Sequence, residues 1–204
     1  MNISRLVMIN ARIPPTQIFG IFWTIFGIVA ITITAFVPAF ADQNDPQLDD
    51  LFNALQASPS KTQAANLVLE IWTRWDNHPD DPLANRQMTK GIKLMNSGHL
   101  DAAEAVFSRI INKHPNFAEA WNKRATVRFF LGNDNGSAGD ILQVIKLEPR
   151  HFGALSGLGM IRVRVGDLQG ALKAYQAAQR INPYLPQIET IIDQLSQKLK
   201  GRAL

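Results

Sequence analysis

The residues best suited to chemistry in this chain are four histidines, His78, His99, His114 and His151. There is no cysteine, so disulfides, thiolate metal sites and a cysteine nucleophile are all excluded. No two histidines stand in a His-x-x-x-His spacing, which would bring two imidazoles to one helix face for a metal. A Gly-rich phosphate loop and a Gly-x-Ser-x-Gly nucleophile elbow are also missing, and the glycines of the Gly153–Gly159 stretch read as packing positions inside a helix. His78 and His114 each precede a proline, His99 follows Gly98, and His151 opens a new segment, which places the four at separate helix ends that do not converge. Carboxylates such as Asp101 and Glu104 fall in a first helical turn, where they complement the helix dipole. Arg124 and Asp140 read as a structural ion pair. These residue types predict no catalytic set, no metal and no cofactor.

The elements that carry these residues repeat. Pro115, Pro149 and Pro183 recur with a constant 34-residue step, and so do Gly98, Gly132 and Gly166. Gly91, Ala125 and Gly159 form a small column at the same step, as do Ala103, Ser137 and Ala171; Phe107, Ile141 and Tyr175 form a large one. Such a period marks a repeat architecture. Within each unit a run without proline is broken by one glycine and ended by one proline, so each unit predicts two helices joined by a turn. The small columns read as the crossing point of each hairpin, Gly91 against Ala103 and Gly159 against Ala171, with the large column beside it.

At these positions the chain resembles the tetratricopeptide repeat (TPR) family, whose pattern is Trp-x2-Leu-Gly-x2-Tyr, Ala-x3-Phe and Pro within a unit of the same period. Leu155-x2-Leu158-Gly159, Ala171-x3-Tyr175 and Pro183 match it well, Gln87-x2-Lys90-Gly91-x2-Leu94, Ala103-x3-Phe107 and Pro115 match in most places, and Trp121-x2-Arg124-Ala125, Ser137-x3-Ile141 and Pro149 keep the spacing. Arg128 and Arg162 replace the family's Tyr, which predicts looser packing or an arginine stem sent to the surface. The resemblance implies an all-α, TPR-like solenoid of antiparallel helical hairpins with a C-terminal capping helix. It also implies a concave side, lined by the first helix of each unit, that holds a protein or peptide partner. Carried over by column, the lining is Asn85, Met88, Ile92 and Met95; Glu119, Asn122, Thr126 and Phe129; and Ser156, Met160 and Val163. Met88 and Ile92 stand where members that clamp a chaperone's C-terminal carboxylate have Lys and Asn, so that activity is not implied. The expectation is that Glu at Met88 and Phe129 abolishes partner capture without unfolding.

Around the repeats, at 84–117, 118–151 and 152–183, the remaining sequence divides readily. Residues 1–41 read as a targeting segment: Arg5 and Arg12 are the only charges, Ile18–Phe36 is apolar to weakly polar, and Ala39 and Ala41 form an A-x-A site before Asp42. The run also approaches the roughly 20 residues that span a bilayer, so a membrane tether through residues 18–37 is the alternative to cleavage. Either way the rest is exported, to the periplasm or the outer face of an inner membrane, as expected for an exported bacterial protein.

Asp42–Gln47 reads as a short flexible start. Leu48, Leu51, Phe52 and Leu55 predict one helix, and Ala64, Leu67, Val68, Ile71, Trp72 and Trp75 a second, forming within 42–82 a degenerate hairpin stacked before the first repeat. Both tryptophans read as core. Asn77–Pro82, with two prolines, reads as a hinge. Residues 184–204 hold a last helix with an Ile188, Ile191, Ile192, Leu195 and Leu199 stripe, suited to closing a solenoid end.

Net charge is +4, with acids concentrated between Asp42 and Asp81 and cations after Pro82. Solvated surface accounts for this; the functional alternatives are an acidic hairpin lying over a basic part of the repeats, or a basic part facing anionic lipid or an acidic partner. Nucleic acid is not implied, because no basic-aromatic platform is visible. The sequence thus predicts a non-catalytic interaction scaffold, with an anchored accessory subunit of an envelope assembly, secretion or cofactor-attachment machine as the alternative.

Overall fold

The computed structural model describes residues 42–201. Among these residues there are nine α-helices and no strand: α1 (Gln47–Gln56), α2 (Lys61–Trp75), α3 (Pro82–Asn96), α4 (Leu100–Lys113), α5 (Ala118–Phe130), α6 (Asp134–Leu147), α7 (Phe152–Arg164), α8 (Leu168–Ile181) and α9 (Ile188–Lys200). They form an all-α repeat solenoid, as the sequence period requires. No described helix is long and apolar enough to cross a membrane. The signal or tether expected within residues 1–41 lies outside the described residues.

Each repeat hairpin turns on its glycine. Gly98, Gly132 and Gly166 have φ of 77, 78 and 81°, a left-handed geometry that a Cβ disfavours. The next residue then reaches back: the His99, Asn133 and Asp167 N–H groups each donate, at 2.9 Å, to the carbonyls of Leu94, Arg128 and Arg162. This closure satisfies carbonyls left free at the ends of α3, α5 and α7. Asn133 and Asp167 then cap the following helices by accepting from the Gly136 and Gly170 N–H groups.

In the middle unit the small columns meet at the crossing, where the Ser137 hydroxyl donates to the Ala125 carbonyl at 2.7 Å. Gly91 and Gly159 face the large column, because a Cβ at Gly91 would stand 2.5 Å from Phe107 Cε1 and one at Gly159 2.7 Å from Tyr175 Cε2. The aromatic rings press against bare backbone, and the middle unit accepts Ala125 because its counterpart is the narrower Ile141. Apolar clusters then join successive elements: Met88, Phe107 and Val106 with Phe117, Ala120 and Val127; Ala125, Ile141 and Val144 with Ala154 and Ile161; and Leu168 and Tyr175 with Ile188 and Leu195 of α9.

Arginine in the family's Tyr column does not loosen the hairpins. Arg128 donates to Glu104 at 2.6 Å and to Asp140 at 3.0 Å, while Arg124 binds Asp140 through two nitrogens at 2.9 and 2.8 Å. One buried carboxylate therefore holds two guanidinium groups and ties α4, α5 and α6 together. Arg162 pairs instead with Asp167 across its own turn.

The N-terminal hairpin departs furthest from expectation. It does not stack before the first unit. Leu48, Leu51, Phe52, Leu55, Ile71 and Trp75 share a core with Phe152, Ile181, Tyr184 and Leu185, all from the third unit or beyond it. The segment leading into α1, α1 itself and the turn after it run along the row of inter-unit turns, touching each one. The Gln43 side chain donates to the Asn116 carbonyl at 2.7 Å, Asp49 pairs with Arg150 at 2.6 Å, and the Ser58 carbonyl accepts from the Tyr184 hydroxyl. Asn116, Arg150 and Tyr184 are themselves one period apart, so this strap keeps the register of the repeat.

Three sequence expectations are corrected here. Asp42, Gln43 and Asp45 are buried and bonded, not a flexible start. Asn77–Pro82 is pinned, because the Asn85 side chain bonds both the N–H and the carbonyl of His78, while Asp81 caps α3 and takes Lys113 and His114 at 2.6 and 2.8 Å. Three of the acids before Pro82 lie on repeat cations, through Asp49–Arg150, Asp76–Lys123 and Asp81–Lys113, while Asp45 and Glu70 pair with Arg74 of α2.

Candidate partner-binding groove

Helices α5 and α7 lie side by side, and their facing residues border open clefts. Gly157, which has no side chain, and the underlying Ile141 leave a cleft of about 170 Å³ bordered by Thr126, Phe129 and Met160. Beside it a second cleft of about 530 Å³ opens between α7, α8 and α9, with Phe129, Met160 and Val163 on one wall and Ile191 and Leu195 on the other. Met160 is 45% and Val163 43% exposed. At the rim the Arg164 guanidinium lies 3.5 Å from the Phe129 ring centroid and pairs with Asp134 at 2.8 Å. Phe130, Leu131 and Val165 extend the exposed apolar surface at the same helix ends.

Of the eleven lining residues carried over from the family pattern, the structure brings Asn122, Thr126, Phe129, Met160 and Val163 to these clefts. Ser156 is half-buried, with its hydroxyl donating to the Phe152 carbonyl at 2.9 Å. Asn85 is engaged with His78. Ile92 and Met95 pack on the first core. Met88 is 1% exposed and belongs to that core, so Glu at this position would bury a carboxylate, and the expectation that it leaves the fold intact is overturned. The groove wall contributed by α9 was not foreseen. Its stripe is legible as a cap, but nothing in the pattern says that Ile191, Leu195 and Lys198 also face open space.

Glu119 and Asn122 are buried, and the Asn122 amide, at the floor of the first cleft, donates to both Glu119 oxygens at 3.1 and 3.2 Å. The end of α2 lies over the starts of α5 and α7. Trp72 covers Gly153, where a Cβ would stand 2.7 Å from its ring. Trp75 stacks on His151 at 4.1 Å and 10°. Beneath them the His151 Nδ1 accepts from the Ala154 N–H at 3.0 Å, leaving Nε2 to donate to Glu119 at 2.7 Å. Lys123 completes the cluster, 2.8 Å from Glu119 and 3.3 Å from Asp76. Burial alone would push the Glu119 carboxyl up, but Lys123 and His151 outweigh it and hold it at about 2. Burial, with the Glu119 charge, pushes Asp76 up. Lys123, despite its burial, is held well above its ordinary value by Glu119 and Asp76.

Two histidines do converge, contrary to the sequence reading: the rings of His78 and His114 are 4.2 Å apart. Burial and then His114 lower the His78 pKa. Among the described residues no cluster of histidine and carboxylate has the arrangement to hold a metal ion.

With this geometry in hand, comparison with known proteins places the architecture. A tetratricopeptide repeat family model matches residues 135–186. A TPR repeat-containing protein of Rhizobium etli is 34% identical over 155 residues, which are 76% of this chain and 76% of that protein. A small glutamine-rich tetratricopeptide repeat-containing protein 2 of Mycosarcoma maydis is 28% identical over 106 residues, 51% of this chain and 30% of that one. Among solved structures, the first TPR domain of Spaghetti (RPAP3), bound to an HSP90 peptide, has a TM-score of 0.56 at 22% identity and covers 59% of this chain and 96% of that chain. MamA has a TM-score of 0.55 at 16% identity, covering 74% and 84%. Through the shared repeat units and the Rhizobium relative, the chain belongs to the tetratricopeptide repeat family.

Proposed function

We propose that this protein is a non-catalytic interaction scaffold that holds a peptide or a partner helix in the cleft between α5, α7 and α9. The observation that carries this reading is the apolar surface made by exposed Met160 and Val163 with half-buried Phe129 around that cleft. Apolar surface gathered in a concavity is where a partner gains most by excluding water, and methionine adapts its shape to what it meets. The Spaghetti domain bound to an HSP90 peptide and the yeast Sti1 domain in complex with Hsp70 share the fold, and this supports a peptide-binding role for the same architecture here.

A displayed library of random peptides, selected on the full chain, supplies the probe. Peptides so selected are expected to bind at least tenfold more weakly to Met160→Glu and Val163→Glu, measured by fluorescence anisotropy, with circular dichroism unchanged. Both side chains are substantially exposed, so the substitutions bury no charge in the core. Undiminished binding by the folded variants would sink the groove reading.

The place of action in this reading is outside the cytoplasmic membrane, and its support is the sequence of residues 1–41. A soluble native species whose intact mass begins at Asp42 is the expected result; a membrane-bound species retaining Met1 or Asn2 would replace it with a tethered form.

A further inference from the structure

The first unit has a face on which no described element stacks. The positions one and two periods further along the chain show what that face has become. Arg86 corresponds to Ala120 and Ala154, Lys90 to Arg124 and Leu158, and Lys93 to Val127 and Ile161. In the second and third units Ala120, Val127, Ala154 and Ile161 are at most 5% exposed, sealed against the preceding unit. In the first unit all three positions are cationic and exposed. They lie at i, i+4 and i+7 on α3, within one narrow stripe.

The stripe is one-signed. α3 contains no carboxylate. Asp81 at its N-cap is taken by Lys113 and His114, and Glu104 of α4 by Arg128. Arg109 on α4 adds a fourth cation, against Asp101 in the first turn of that helix. Arg86, Lys90, Lys93 and Arg109 have no ion-pair partner among the described residues. Leu83, 48% exposed, flanks Lys90 on the same face of the helix.

A polar end is enough to close a solenoid, and mixed charges would serve. An end that carries almost only cations attracts anions. A folded acidic partner would need charges of both signs or hydrogen-bonding groups to fix its register, and this stripe offers none. A fluid layer of anionic headgroups needs no register, and an apolar side chain among the cations can enter its boundary. The tethered reading of residues 1–41 keeps the chain at a bilayer, and the cleaved reading releases it beside one. We infer that the exposed face of α3, centred on Arg86, Lys90 and Lys93, is a docking surface for anionic phospholipid.

Because the chain has no cysteine, a single probe can be placed cleanly. The full chain is reconstituted in nanodiscs of phosphatidylcholine alone, or of phosphatidylcholine with phosphatidylglycerol at roughly one lipid in three, each containing a headgroup-attached quencher. A fluorophore is attached at Thr89→Cys on α3, or at Leu142→Cys on exposed α6 as the control. Quenching at position 89 is expected to be at least fivefold stronger in the anionic discs and to disappear at salt of about 500 mM, where charges are screened beyond a few ångströms. In the R86E/K90E/K93E variant it is expected to fall to the level of neutral discs, since each basic residue near an anionic surface contributes about fivefold in affinity. The salt titration needs no variant, so a misfolded triple mutant does not blunt the test. Equal quenching in both lipids, or equal quenching at 89 and 142, would overturn the inference. So would shielding of position 89 by polyglutamate with no lipid effect, which would assign the face to an acidic protein.

Discussion

Glu119→Gln is expected to destabilise the protein by about 3–5 kcal/mol in urea unfolding at neutral pH, the range for removing one partner of a buried ion pair. Glu119 is fully buried, and its two oxygens are shared by Lys123 at 2.8 Å and His151 at 2.7 Å. The amide keeps the shape but removes the charge, leaving the Lys123 ammonium with only Asp76. The His151 N–H keeps an acceptor only if the amide oxygen turns toward it, which points the amide NH₂ at Lys123.

The pH dependence has a definite sign. The Glu119 carboxyl is held at about 2, against an ordinary 4.5. Its contribution is therefore complete above about pH 4.5 and is lost as pH falls toward 2, and it amounts to on the order of 3 kcal/mol. Asp76, raised by burial, works in the opposite sense: acid relieves it. The informative quantity is the difference between wild type and Glu119→Gln, which should shrink steadily between pH 4.5 and 2. A difference that stays flat over that window, or a loss below about 1 kcal/mol at neutral pH, would show that the cluster does not hold α5 to α7.

Trp75→Ala has the second large effect, a loss of about 3–5 kcal/mol for truncating a fully buried indole. Trp75 is 1% exposed and lies against His151, Phe52 and Phe152 with ring centroids at 4.1, 5.9 and 5.2 Å. Those rings come from α1 and from the start of the third unit, so the indole is the point where the N-terminal hairpin is fastened to residues far along the chain. Hydrogen exchange gives the sharper reading. Amides of α1 and α2 should lose protection first, while those around Phe107 keep theirs. Uniform loss along the chain would mean that the hairpin and the repeats unfold as one unit.

The repeat itself was legible because its information is local. The turn glycines, the closing prolines and the periodic columns are each satisfied within one unit or between neighbours, so their spacing alone specifies two helices and a turn. The lining of the two clefts was legible in part. Asn122, Thr126, Phe129, Met160 and Val163 follow from the column rule, whereas Met88 obeys the same rule and is nevertheless core, because burial depends on what lies opposite and not on position in the unit.

The sequence by itself determined the helices, the repeat period, the solenoid and the family. Only the tertiary structure decided where the first hairpin goes. Its apolar stripes say that it must pack, but an apolar stripe is satisfied by any apolar seat within reach. The seat chosen brings together Gln43 and Asn116, Asp49 and Arg150, and Trp72 and Gly153, pairs far apart in the chain. Complementarity at that distance has no period to announce it. It decides which part of the concave surface is covered, leaves the cleft beside α9 open, and leaves the cations of α3 facing outward.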